Sequence, residues 1–180
     1  DGKVSLVFTY KVAAEIGSLG DNVVYLRQQV REDDVLQHLI RLPHLFQTIV
    51  AHTRWASVGE ISEANCHPVD NFSTGPGDLK ESRKGERTGI IHVCLNGDID
   101  NYQGLKRYYE RETGHAIAAD ITTDTKIIPL QIEKYLRENK PLGEAFRLAV
   151  SDFEGSHAIA MASDLAPGKI FLAQRGSGQA

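Results

Sequence analysis

Three short segments of this 180-residue chain contain residue types that can bind a charged group of a ligand or stabilise a developing negative charge. The first is HTRWASVG at 52–59, where the planar guanidinium of Arg54 suits a carboxylate. The second is Asn96-Gly97, whose side-chain amide and backbone N–H can together donate hydrogen bonds to an oxyanion. The third is TTDT at 122–125, where the carboxylate of Asp124 can bind an ammonium group.

Each segment also has a purely structural interpretation. Arg54 can be an exposed arginine beside a core tryptophan, Trp55, at the end of a strand. Asn96-Gly97 is a common hairpin turn, and Asp124 is a common N-cap residue. Taken one at a time, the segments therefore do not establish a binding site.

The two cysteines do not indicate a catalytic thiol or a disulfide framework. Cys94 lies in an apolar run and is expected to be an inert core thiol. Cys66 cannot easily be activated by His67, because adjacent side chains seldom point at one another. The histidines show no metal-ligand spacing, so we expect no metal and no cofactor.

Composition excludes several classes of partner. Hydrophobic residues make up 41% of the chain and charged residues 24%, as in ordinary globular proteins. Asp and Glu outnumber Lys and Arg by 24 to 20, which gives a net charge of -4 and no reason to expect nucleic-acid binding. No apolar run is long enough to span a bilayer. With two cysteines and no signal peptide, we expect a cytoplasmic location.

The elements that must position these segments are strands at both ends and helices between them. Period-two and β-branched runs predict strands at Val4–Tyr10, Val23–Leu26, Phe46–His52 and Thr88–Leu95, and a hairpin of His157–Ala162 with Ile170–Ala173. Helical spacing predicts helices at Arg31–Leu42, after Asp100, after Thr123 or Asp124, and at Leu142–Val150. Residues 70–87 are rich in glycine and charge and predict an exposed loop. The pattern is typical of an α+β domain.

In this order and spacing, the segments resemble the glutaminase domain of the class II glutamine amidotransferases, which are N-terminal-nucleophile hydrolases. The resemblance covers roughly residues 52–177. It rests on HTRWASVGEISEANCHP (52–68), LNGDIDNYQGLK (95–106), TTDTKII (122–128), FEGSHAIA (153–160) and PGKIFLAQRGS (167–177).

The resemblance implies a fold and an activity. The fold is a four-layer αββα sandwich, with two antiparallel sheets between helices. The activity is hydrolysis of L-glutamine to glutamate and ammonia, with the ammonia passed to a sugar phosphate at a second domain of the same polypeptide. A homodimer formed through that second domain is also expected.

The resemblance also implies roles for particular residues. Arg54 would hold the α-carboxylate of glutamine and Asp124 its α-amino group. Asn96 and the Gly97 N–H would stabilise the oxyanion. The remaining substrate-binding residues would be Trp55, Ser57 and His67.

The chain departs from the family pattern at three places. The family's nucleophile is an N-terminal cysteine, whereas residue 1 here is Asp and no Cys precedes Cys66. We therefore expect that residues 1–180 are a type 2 glutamine amidotransferase domain incomplete at both ends, and that this chain is inactive alone. Val58 stands where the sugar-phosphate branch usually has histidine. The loop at 70–87 is longer than expected, which suggests an insertion.

Two alternatives remain open at this stage. The domain can be catalytically silent and bind an amino acid or a partner protein. It can also belong to another class II branch, such as the amidophosphoribosyltransferases. His67 and Trp55 favour the sugar-phosphate branch.

Overall fold

The computed structural model of the protein describes residues 6–13, 20–53, 59–72 and 89–176. Three of the predicted site residues, Arg54, Trp55 and Ser57, lie outside the described residues, as does Val58. The other four, His67, Asn96, Gly97 and Asp124, lie within them.

The described residues contain one four-stranded antiparallel sheet, in the order β1-β2-β3-β4. Its strands are β1 (Val69–Asp70), β2 (Ile91–Gly97), β3 (His157–Ser163) and β4 (Ile170–Arg175). The longest pairing joins β2 to β3 along their whole lengths, from Ile91 opposite Ser163 to Gly97 opposite His157. The end of β2 that carries Asn96 and Gly97 is therefore paired with the start of β3.

Five α-helices are described. They are α1 (Asp21–Glu32), α2 (Asp34–Leu39), α3 (Tyr102–Thr113), α4 (Ile127–Arg137) and α5 (Leu142–Asp152). Single 3₁₀ turns occur at Glu63–Asn65 and Asp124–Lys126. Pro129 is tolerated in the first turn of α4, because the backbone N–H that it lacks has no partner inside a helix at that point. No helix among the described residues is long and apolar enough to cross a membrane.

The hydrophobic core lies between one face of the sheet and helices α3–α5. Alternate residues of β2 and β3 turn toward these helices, which is the period-two pattern of a sheet covered on one side. The buried members include Ile91, Val93, Ile159 and Met161 from the sheet and Ile128, Ile132, Phe146 and Ala149 from the helices. Burying a side chain of this size contributes about 1.5–3 kcal/mol.

The structure confirms the α+β class. It also confirms the helix predicted at 142–150, which runs to Asp152, and the hairpin predicted at 157–173, which forms β3 and β4. Of the predicted αββα layers, the described residues supply one antiparallel sheet and the helical layer against it.

Several predicted strands are wrong. Residues 6–10 and 46–52 have no regular secondary structure, and Val23–Leu26 lies inside α1. A β-branched run becomes a strand only where a second strand pairs with it, and the local sequence does not reveal the partner.

Two helix starts also differ from the predictions. The helix predicted from Arg31 begins at Asp34, because the carboxylate of Asp33 accepts a hydrogen bond from Leu36 N–H and caps α2. Asp100 does not cap α3, which begins at Tyr102 after Asn101. The Asn101 side chain instead bonds Asp152 O and Glu154 N–H, so it holds the start of α3 to the end of α5.

The segment predicted as an exposed loop, 70–87, is described only at its start. There Asp70 pairs in β1 opposite His92, and Asn71 is buried. Asn71 accepts a hydrogen bond from Ile91 N–H and donates one to Gly89 O. The remaining residues of the segment, 73–87, lie outside the described part of the chain.

Candidate active site

Asn96 and Gly97 are the last two residues of β2 rather than a hairpin turn. Asn96 lies opposite Ala158 of β3, a partner that follows only after three intervening helices. Gly97 has a φ of 107°, and a Cβ at this position would overlap the carbonyl oxygen of Ser156. Glycine is therefore required here both for its backbone angle and for the close approach to β3. Asn96 is exposed while its neighbour Leu95 is buried, so the Asn amide lies outside the core.

Asp124 lies beside this strand end. Its side chain is only 5% exposed, and its Oδ2 accepts a hydrogen bond of 2.8 Å from Ile99 N–H, two residues beyond Gly97. The Thr125 hydroxyl lies 3.4 Å from Asp124 Oδ1. Thr123, not Asp124, caps the following 3₁₀ turn, since its hydroxyl accepts from Thr125 N–H. The carboxylate is therefore held by other contacts than a helix cap.

The environment of Asp124 makes its charged form less favourable than it is in water. Burial raises the pKa of the Asp124 carboxyl, the hydrogen bond from Ile99 N–H lowers it, and the charge of nearby Asp98 raises it. A buried carboxylate of this kind is stabilised when a cation binds beside it. An ammonium group supplies such a cation.

Asn65, in the loop that follows the segment 52–59, connects this loop to the Asp124 turn. No role was predicted for it from the sequence. Its side chain is fully buried, and its Oδ1 accepts from Thr122 N–H at 2.8 Å and from Thr123 N–H at 2.9 Å. Its Nδ2 donates to Asp120 O and to Ser62 Oγ. The only local signal was its place in the Asn-Cys-His-Pro run, because its partners lie far along the chain.

The described residues on either side of the segment 54–58 contact the Asp124 turn or His67. Glu60 N–H donates to Thr122 Oγ1 at 3.0 Å, and a Cβ on Gly59 would lie 2.9 Å from Thr122 and Thr123. On the other side, His52 Nδ1 lies 2.9 Å from His67 Nδ1. The described residues before and after positions 54–58 therefore lie near His67 and the Asp124 turn, respectively.

His67 is a buried side chain with defined partners. Its Nε2 lies 2.8 Å from Thr125 Oγ1, and its ring stacks on that of His52 with centroids 4.6 Å apart. It is not among the residues that line the cavity beside Asp124. The structure therefore places His67 next to the Asp124 turn rather than at this cavity.

A small cavity of about 170 Å³ adjoins Asp124. Its walls come from α3 and from the chain between Ile117 and Ile127, and Lys126 is one of the lining residues. Lys126 is 2% exposed, and its Nζ donates to Asp70 O at 2.6 Å, so it ties the Asp124 turn to β1. No group of three or more His, Cys, Asp or Glu side chains within the described ranges is arranged to hold a metal ion.

Cys94 is not poised as a nucleophile. Burial raises the pKa of the Cys94 thiol to about 11, which disfavours the reactive thiolate at neutral pH. The Cys66 thiol lies 3.5 Å from Val12 O. Cys94 is thus a buried core thiol, as the sequence predicts.

Comparison with known proteins identifies relatives for most of the chain. It is 36% identical over 128 residues to the glutamine–fructose-6-phosphate aminotransferase [isomerizing] of Methanothermobacter thermautotrophicus, covering 71% of this chain and 19% of that protein. The enzyme of the same name from Helicobacter pylori is 35% identical over 132 residues, or 73% of this chain and 19% of the relative. The Pyrococcus horikoshii enzyme is 28% identical over 166 residues, or 92% of this chain and 25% of the relative.

Two other comparisons add less. No protein-family model matches the chain. Among solved structures, the glutamine phosphoribosylpyrophosphate amidotransferase of B. subtilis, complexed with ADP and GMP, superposes with a TM-score of 0.44 at 18% identity. That match covers 62% of this chain and 20% of that structure's chain.

The sequence similarities confirm the predicted resemblance to the class II glutamine amidotransferases. The particular proteins to which the chain is related are the glutamine–fructose-6-phosphate aminotransferases. The chain spans about a fifth of the length of these curated relatives, at 19% of each of the first two.

Proposed function

We propose that the chain is the glutamine-hydrolysing part of a glutamine-dependent amidotransferase, and that the ammonia it releases is transferred to a sugar phosphate. The supporting observation is the 2.8 Å hydrogen bond from Ile99 N–H to Asp124 Oδ2. It fixes a buried carboxylate next to the strand end that carries Asn96 and Gly97. The names of the sequence relatives support fructose 6-phosphate as the acceptor.

The proposed roles follow from the charges that the reaction requires. Glutamine is a zwitterion, so Arg54 binds its α-carboxylate and Asp124 its α-amino group. Attack on the amide carbon places negative charge on oxygen, and the Asn96 amide and Gly97 N–H donate hydrogen bonds to that oxygen. Trp55 and Ser57 complete the substrate-binding set, while His67, which was predicted from the sequence to bind substrate, lies beside Thr125 of the Asp124 turn. Burial disfavours the thiolate of Cys94, and the nucleophile in this proposal is the N-terminal cysteine expected from the family.

The test is an assay of the full-length protein that contains this chain, with L-glutamine and fructose 6-phosphate. The proposal predicts glutamate and amino-sugar phosphate in equal amounts, and glutamate release that requires the N-terminal cysteine. Replacing glutamine by ammonium chloride is the control for the second domain, because added ammonia does not require glutamine hydrolysis.

Each outcome of this assay distinguishes between the alternatives. Glutamine binding without glutamate release would favour the catalytically silent domain. Glutamate release with phosphoribosyl pyrophosphate as the productive acceptor would favour the amidophosphoribosyltransferase branch. Glutamate release that is lost on Cys66→Ser or Cys94→Ser would contradict the assignment of the nucleophile.

A further inference from the structure

A chain of hydrogen-bonding side chains runs from His52 to Asp124. His52 Nδ1 lies 2.9 Å from His67 Nδ1, and His67 Nε2 lies 2.8 Å from Thr125 Oγ1. The Thr125 hydroxyl in turn lies 3.4 Å from Asp124 Oδ1. His67 and Thr125 are both buried, at 9% and 1% exposure, so the contact between them is shielded from water.

A backbone N–H group determines which atoms donate and which accept along this series of hydrogen bonds. Leu95 N–H lies 3.4 Å from His67 Nδ1, and a backbone N–H can only donate. His67 Nδ1 is therefore an acceptor, and the His52 Nδ1–H must donate to it as well. A neutral imidazole whose Nδ1 accepts carries its proton on Nε2, so His67 donates to the Thr125 hydroxyl.

The Thr125 hydroxyl can then donate its own hydrogen to Asp124. A hydroxyl that accepts from His67 keeps its own hydrogen to donate, and the carboxylate oxygen Oδ1 of Asp124 is an acceptor within reach. The other oxygen, Oδ2, accepts from Ile99 N–H. Both oxygens of the buried carboxylate are thus oriented by donors from different parts of the chain.

We propose that His67 is a positioning residue, which orients the Asp124 carboxylate through the Thr125 hydroxyl and is itself held in the Nε2–H tautomer by His52 and Leu95 N–H. The inference rests on the proposed function in one respect, namely that Asp124 binds the α-amino group of glutamine. It assigns His67 an indirect effect on glutamine affinity instead of contact with the substrate. The effect passes through Thr125, which had no role in the sequence analysis.

The first test is a double-mutant cycle on glutamine KM in the full-length protein. His67→Leu and Thr125→Val each remove one link and keep similar volume. We expect each to raise KM about tenfold with little change in kcat, and the double variant to raise it by about the same tenfold, because residues in one hydrogen-bond network are not additive. A product of about a hundredfold in the double variant would overturn the coupling.

Conservative variants separate positioning from a general loss of packing. Thr125→Ser keeps the hydroxyl and is expected to leave KM within about twofold of the unaltered protein. His67→Gln keeps an amide donor near the Nε2 position and is expected to recover part of the affinity lost in His67→Leu. Equal loss in Thr125→Ser and Thr125→Val would contradict the role of the hydroxyl.

The second test does not depend on glutamine. In ¹⁵N-histidine-labelled protein, the His67 ring is expected to show a protonated Nε2 and an unprotonated Nδ1, and the signal is assigned by its loss in His67→Gln. A protonated Nδ1 would overturn the proposed hydrogen-bond direction. If the unaltered protein did not bind glutamine, the proposed function and the substrate part of this inference would fall. The tautomer would still decide whether the hydrogen-bond chain exists.

Discussion

At the residue scale, burial has two opposing effects on Asp124. Its burial and its bond from Ile99 N–H keep the carboxylate in place, and the same burial raises its pKa. A charged group held in this way is unfavourable for the empty protein and favourable for binding a cation. We expect the cost in stability and the gain in affinity to arise from the same carboxylate.

Asp124→Asn separates these two effects. Asn retains an oxygen that can accept from Ile99 N–H, but it has no charge for the glutamine ammonium. We expect glutamine KM to rise roughly 30-fold or more, since removing one partner of a buried charge pair costs about 2–5 kcal/mol.

The same variant should not lower the thermal midpoint at pH 7. The pKa of Asp124 is higher in the folded than in the unfolded chain, so between those two pKa values the folded state binds the extra proton. The stability contributed by this group therefore falls as the pH rises through that interval, and Asn removes the loss. An unchanged KM, or a midpoint several degrees lower, would contradict the binding role.

At the element scale, the loop that contains Asn65 and the turn that contains Asp124 are joined mainly by one side chain. Asn65 satisfies two backbone N–H groups of the 122–123 turn and donates to Asp120 O. Sequence reasoning identified the turn and the strand end, because both have local motifs. It did not identify Asn65 or Lys126, since each bonds a residue more than fifty positions away and leaves no local pattern.

Asn65→Ala is expected to destabilise the protein by about 2 kcal/mol, because it leaves the buried Thr123 N–H and the partly buried Thr122 N–H without an acceptor. Ser62→Ala is the matched control. It removes one hydrogen bond to Asn65 Nδ2 but leaves the bond to Asp120 O, and is expected to cost about 1 kcal/mol. Urea unfolding of both variants measures the difference, and equal losses would contradict the connecting role of Asn65.

The sheet itself contains two histidines with buried ring nitrogens, the half-buried His92 in β2 and the buried His157 in β3. Neither ring has a hydrogen-bond partner within the described part of the chain. Burial lowers the pKa of both rings; for His157 the charge of Arg175 lowers it further, while Asp100 opposes this. Their stabilising contribution is therefore complete above the unfolded-state pKa of about 6.5 and declines as the pH falls below it.

A pH series of thermal midpoints tests this expectation. The unaltered protein should melt at a lower temperature at pH 5 than at pH 8, and His157→Leu should show a smaller difference between the two. If His157→Leu had the full pH dependence of the unaltered protein, His157 would not contribute to it.

At the scale of the whole molecule, the core joins the β2–β4 sheet to helices α3–α5. The α5 helix and the β3–β4 hairpin could be predicted from sequence because their apolar residues repeat with clear helical and strand periods. The strands predicted at 4–10 and 46–52 were wrong where they are described, since a short apolar run does not specify its pairing partner. The layered αββα arrangement was implied by the resemblance alone.

Two substitutions on adjacent strands, one buried and one exposed, test which face of the sheet is packed in the core. Ile159 of β3 is buried, whereas Leu172 of β4 is 73% exposed. Ile159→Ala is expected to lower the free energy of unfolding by about 2–5 kcal/mol, and Leu172→Ala by about 0.5 kcal/mol or less. Chemical denaturation of both variants measures this difference, and a similar loss for Leu172→Ala would show that the outer face of β4 is also packed.

The central claim is that this chain binds glutamine and stabilises the oxyanion formed during its hydrolysis. The most direct measurement is glutaminase kcat and KM for Asn96→Ala and Arg54→Ala in the full-length protein. Asn96 acts mainly once the oxyanion forms, so its loss is expected to lower kcat about 100- to 1,000-fold. Arg54 binds the carboxylate in the ground and transition states alike, so its loss is expected mainly to raise KM. The same kinetic pattern in both variants, or unchanged kinetics in Asn96→Ala, would contradict the account.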